Sequence, residues 1–121
     1  MKFDSLLIFS DNPKKLVAFY EKVFKGKPAW KGGDFVGYKV GGGYVMIGPH
    51  DKVKGKSKEP ERLIFNLEVK DVKAEFARVK KLGAKVVAQP YHPGEEKDSK
   101  FMLCTFADPD GNFFQLANPM K

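Results

Sequence analysis

Asp108, Asp110 and Asn112 alternate through the stretch FADPDGNFFQLA (106–117), and oxygen-bearing side chains at that spacing could open a calcium loop. Such a loop needs glycine at its sixth position and glutamate at its twelfth. Phe113 and Pro119 stand there instead. The same residues suit a tight turn on every count. Pro109 presets φ, the aspartates bond nearby backbone amides, and Gly111 tolerates positive φ. The expectation is a turn that feeds a strand carrying Gln115.

The remaining reactive groups are few. Cys104 is the only cysteine, which excludes an intrachain disulfide and a multi-thiolate zinc site. His50 and His92 are the only histidines; each adjoins a proline in a polar segment and reads as a solvated loop residue. GGGYV (41–45) precedes a strand rather than a helix N-terminus, so it reads as a hairpin turn and not a phosphate cradle. KGGDFVGY (31–38) partly fits an RNA-recognition strand through Lys31, Gly32, Phe35, Val36 and Tyr38. Gly33 replaces an aromatic, and Asp34 puts a negative charge where phosphates would lie. An RNA-binding module is therefore the weakest functional alternative, and nucleic acid an unlikely partner.

The 121 residues fit one compact domain, with 42% apolar and 31% charged residues. No apolar run reaches membrane-spanning length and the N-terminus lacks a signal-peptide pattern, so a cytoplasmic protein is expected. The net charge of +7 favours anionic partners. Lys52, Lys54, Lys56 and Lys58 alternate among acidic residues, with Gly55 and Pro60 breaking any regular element. They read as a solvated linker over about 51–60.

These residues need elements to hold them. FDSLLIF (3–9) reads as a buried strand. Leu16, Phe19, Tyr20, Val23 and Phe24 then form one apolar stripe on a helix that opens at Pro13 and ends near Gly26. KPAW, FVGYKV and YVMIG supply strands, the last two joined by Gly41-Gly42-Gly43. The order then returns. RLIFNLEV (62–69) puts Leu63, Phe65, Leu67 and Val69 on one face and Ile64, Asn66 and Glu68 on the other. A helix opening at Asp71 turns Val72, Phe76 and Val79 inward and ends at Gly83; AKVVAQ, FMLCTF and NFFQLA follow as strands. Shifting the second half back by 57 positions places Leu63 on Leu6, Phe76 on Phe19 and Gly83 on Gly26. This is an internal duplication of a βαβββ unit.

A duplicated βαβββ chain with DNPKKLVAFYEKVF in its first helix and DPDGNFFQL before its end resembles the glyoxalase/bleomycin-resistance/extradiol dioxygenase (vicinal oxygen chelate) superfamily. The resemblance implies an α+β fold of two tandem modules, about 1–50 and 61–118, in a single domain. It further implies a cupped mixed sheet with the helices outside, and a homodimer. In the superfamily's metal enzymes the ligands lie on the first and last strand of each module. Those places fall here on Ser5 (or Asp4, if the strand shifts by one), Met46, Ile64 and Gln115.

Ile offers no donor, Met only a soft thioether, and Ser and Gln only neutral oxygens, so a divalent ion is poorly served. The expectation is a protein without cofactor. It would hold a neutral or anionic aromatic ligand between the walls Trp30, Phe35, Tyr38 and Met46 and the anchors Asn66, Glu68 and Gln115. The alternative is a metal-dependent glyoxalase-like lyase or dioxygenase.

Overall fold

The computed structural model describes residues 1–94 and 100–119. They fall into two compact units, Met1–Lys56 and Ser57–Lys121. The first runs β1 (Ser5–Phe9), α1 (Pro13–Phe24), β2 (Trp30–Gly32), β3 (Phe35–Val40) and β4 (Gly43–Gly48). The second runs β5 (Phe65–Glu68), α2 (Val72–Lys81), β6 (Lys85–Tyr91), β7 (Leu103–Ala107) and β8 (Phe113–Ala117), preceded by one 3₁₀ turn at Pro60–Arg62. Each unit forms a four-stranded mixed sheet, ordered β1-β4-β3-β2 and β5-β8-β7-β6. In each, the first strand runs parallel to the last and the other pairs are antiparallel. The α+β reading with two βαβββ modules therefore holds.

Local chemistry explains the helices. Asn12 caps α1 by accepting the Lys15 N–H, and Pro13 takes the first turn, where a missing N–H costs nothing. Asp71 caps α2 through the Ala74 N–H at 3.1 Å. Leu16, Tyr20 and Val23 are buried from α1, Val72 and Val79 from α2. The first helix ends one residue before the expected glycine. Lys25, not Gly26, takes the left-handed conformation, with φ +60°.

The second core is a column of rings. Phe76 of α2 stacks on Phe106 of β7, Phe106 on Phe114 of β8, and Phe114 on Phe65 of β5, at centroid distances of 5.3, 5.8 and 5.9 Å. Register explains the column, because Phe106 pairs with Phe114 and Phe65 with Phe114 across adjacent strands. Residues directly opposite one another share a face.

The duplication has a different offset from the one the apolar pattern implies. The two helix caps, Asn12 and Asp71, lie 59 residues apart rather than 57, which aligns Leu6 with Phe65 and Tyr20 with Val79. Leu63 precedes β5 and is 83% exposed. An offset wrong by two keeps every strand side chain on its proper face, so alternation alone does not expose the error. KGGDFVGY also departs from a single strand: it bends into the β2–β3 hairpin at Gly33 and Asp34, which removes the flat surface an RNA-recognition strand needs.

The DPDGN segment is the expected turn. Asp108 is buried, and its Oδ1 accepts the N–H groups of Asp110 and Asn112 at 2.9 and 3.0 Å. The Asn112 side-chain amide donates to both Asp108 oxygens, and the Gly111 N–H reaches the Asp108 carbonyl at 2.9 Å. The carboxylate is consumed in shaping the turn.

Cys104 lies fully buried on β7, and burial pushes its thiol up to about 11, only partly offset by a backbone hydrogen bond at Leu116. At pH 8 about one thiol in a thousand would be thiolate, the reactive form. Native protein is therefore expected to react with a disulfide reagent at least about a hundredfold more slowly than urea-unfolded protein. Equal labelling rates in the two states would contradict that burial.

Candidate functional site

Each sheet carries its helix on one face only. In the first unit the helix side is identified by Tyr38, whose hydroxyl donates to the Val17 carbonyl of α1 and whose ring meets Phe24 at 5.4 Å. Tyr38 is only 2% exposed; burial, and secondarily Glu21, push its phenol up to about 12. This corrects its assignment as a wall of the ligand site. Alternation places Tyr38 with Val36 and Val40, and the sheet turns that set toward α1.

The opposite face is open. Leu7, Met46, Gly37 and Trp30 form one row across β1, β4, β3 and β2. Trp30 is 48% exposed, and its indole covers two glycines of the sheet. A Cβ at Gly32 would stand 2.5 Å from the indole Cζ2, and one at Gly37 would stand 3.3 Å from Cε3. The ring lies over the sheet because those two positions have no side chain. The next row repeats the device. Phe35 covers Gly48, where a Cβ would come within 2.5 Å of Cδ2, and meets Phe9 edge to face at 5.9 Å. His50 meets Phe9 with the rings steeply inclined, centroids 5.1 Å apart, and takes the Lys52 N–H at Nδ1. His92, in the second unit, holds the Phe101 carbonyl at 2.8 Å through Nδ1. Both histidines are engaged locally.

In the second unit the phenylalanine column occupies the helix side, which leaves Asn66, Gln115 and Thr105 as a polar row on the other face. Gln115 Nε2 donates to Thr105 Oγ1 at 3.1 Å, fixing the plane of the amide. Asn66 and Glu68 alternate on β5 and are exposed. Ile64 sits just before β5, also exposed.

The positions that the resemblance assigns to metal ligands hold Ser5 on β1 and Met46 on β4 in one unit, and Gln115 on β8 and Ile64, outside β5, in the other. Asp4 lies outside β1 and is exposed, with its carbonyl accepting the Tyr44 N–H. Among the described residues no group of three or more His, Cys, Asp or Glu could hold a metal ion. This donor set does not fit a divalent cation, since none of its four members supplies an imidazole or a carboxylate.

Sequence reasoning singled out the aromatics but missed the glycines that position them, as well as Leu7 and Phe9 beside them. The signal was present as Trp30-x-Gly32 and Phe35-x-Gly37. Residues two apart on a strand share a face, so a large ring and an empty position alternate there.

Two βαβββ units, each with a helix-free sheet face, define a chain of the vicinal oxygen chelate type. It belongs to the glyoxalase-like domain family, whose model matches residues 5–117. Solved structures share the fold at low identity. A conserved domain protein matches with TM-score 0.78 and 22% identity over 100% of both chains. A glyoxalase-related enzyme from Fulvimarina pelagi matches with TM-score 0.75 and 14% identity over 98% of this chain and 88% of its own. A genomically encoded fosfomycin resistance protein from Listeria monocytogenes matches with TM-score 0.66 and 15% identity, over 99% and 93%. No curated protein matches the chain at a significant level. No helix among the described residues is long and apolar enough to cross a membrane.

Proposed function

We propose that this protein binds a small organic molecule with a planar aromatic part, stacked on Trp30, and does so without a resident divalent metal. The observation that carries the reading is the indole laid over Gly32 and Gly37, half exposed beside Met46 and Leu7. An aromatic face held flat against a sheet is preorganised for stacking and loses little freedom when a ligand arrives. Neighbours of the same fold named for resistance to fosfomycin or bleomycin support small-molecule binding as the class of function. The donor set at Ser5, Met46, Ile64 and Gln115 supports a metal-free site. The net charge of +7 favours neutral or anionic ligands. A cytoplasmic homodimer fits the same reading.

The second sheet offers polar contacts of its own. Asn66 and Gln115, with Glu68 beside them, present amide groups to a ligand laid on that sheet. Replacing Gln115 with leucine should weaken such a ligand by roughly 1–3 kcal/mol while leaving the fold intact.

The test uses the only tryptophan as the reporter. 2-Naphthoate and 2-naphthylmethylamine are titrated against the protein at low and moderate salt, by tryptophan quenching and calorimetry. Saturable quenching by the acid, stronger than by the amine and weakening as salt rises, is expected. Preference for the amine, or the absence of saturable quenching, would overturn the reading. Elemental analysis should find well under one equivalent of Zn, Ni, Fe or Mn per chain; near one equivalent surviving dialysis against a weak chelator would refute the metal-free site.

A further inference from the structure

The helix side of the first sheet holds a separate cleft of about 620 Å³, between α1 and the β2–β3 hairpin. Its volume lies within the range of small-ligand sites. The half-buried Pro13, Val17 and Val36 give it an apolar lining, the strand at Phe35 borders it, and exposed residues of α1 and the hairpin form its rim. The charges on that rim are unusual in their distribution. The helix wall contributes Lys14 and Glu21, the hairpin wall Lys31 and Asp34, one of each sign on each side. Among the described residues none of the four makes an ion pair within 4.0 Å.

We propose that this cleft binds a short apolar peptide with a free amine and a free carboxylate. Lys14 and Glu21 are seven residues apart on α1, about 10 Å along the axis. An extended tripeptide spans about the same length. The first turn of α1 carries no acidic residue. Its positive dipole end and Lys14 therefore favour the carboxylate there, with the amine lying toward Glu21. A purely anionic or purely cationic ligand leaves two of the four rim charges facing a like charge. The apolar lining takes the middle side chain. The site is distinct from the stacking platform, because Trp30 lies on the other face of the same sheet and is not among the residues that border the cleft.

The experiment is an amide chemical-shift titration of the full chain with Ala-Leu-Ala, its N-acetyl form and its C-terminal amide. Saturable shifts over residues 13–21 and 31–36 in the millimolar range are expected, with roughly two- to fivefold weaker binding when either terminus is blocked. Glu21→Gln should lose discrimination against the N-acetyl form, and Lys14→Gln against the amide, while 2-naphthoate does not compete. No saturation, equal affinity for the blocked forms, or shifts confined to the open face would each overturn the proposal.

Discussion

Replacing Phe106 with alanine should cost about 3–5 kcal/mol of folding stability. Phe106 is fully buried and stands in the middle of the ring column, touching Phe76 on one side and Phe114 on the other. Its removal forfeits the transfer energy of the ring, opens a cavity, and breaks the only stacked path from α2 to β5 among the described rings. A rigid sheet below and a capped helix above leave little room for collapse, which places the cost at the upper end. Against a typical total of about 5–15 kcal/mol, such a loss removes a large part of the margin. Phe106→Leu keeps most of the volume and should cost clearly less, so a graded series survives even if the alanine variant does not fold. Urea unfolding is the measurement. A loss below about 1 kcal/mol for the alanine variant would mean that the column is not the core of the second unit.

That column was readable in part. The alternation of RLIFNLEV puts Phe65 and Leu67 inward whatever the register, and the helical spacing of Val72, Phe76 and Val79 gives the packing face of α2. What alternation does not give is which residue meets which. A strand shifted by two keeps its faces, and so Leu63 reads as core although it lies outside β5. The caps carry the missing information, because a helix start is fixed by one side chain and not by a repeating pattern. Tyr38 failed for a related reason. FVGYKV has apolar residues at both parities, Phe35 on one and Val36, Tyr38 and Val40 on the other, so the sequence does not say which set meets α1. The phenol reaching the Val17 carbonyl settles it, a contact across 21 residues that no local pattern encodes. Trp30 and Met46, by contrast, stand on the open face as the alternation allowed.

Gly32→Ala should separate the stacking platform from the fold. The added Cβ would lie 2.5 Å from Trp30 Cζ2, closer than a carbon pair tolerates, so the indole must leave its seat. The backbone at Gly32 does not require glycine, since its φ is not among the positive ones. The clash is with the far edge of a half-exposed side chain and not with the main chain, so the ring rotates away cheaply and the protein stays folded. The consequence falls on recognition. An indole no longer held against the sheet loses its preorganised face, and stacking of that kind contributes about 0.5–1.5 kcal/mol beyond area burial. Affinity for 2-naphthoate should therefore fall by roughly two- to twelvefold. Tryptophan emission should shift to the red as the ring enters water. Gly37→Ala, with its Cβ at 3.3 Å, should give a smaller change in both readouts, and Gly26→Ala, with nothing within 4 Å, should give none. The ordering is the test: if Gly32→Ala leaves emission and affinity where Gly26→Ala leaves them, the glycines do not hold the platform, and the aromatic-binding reading loses its structural basis.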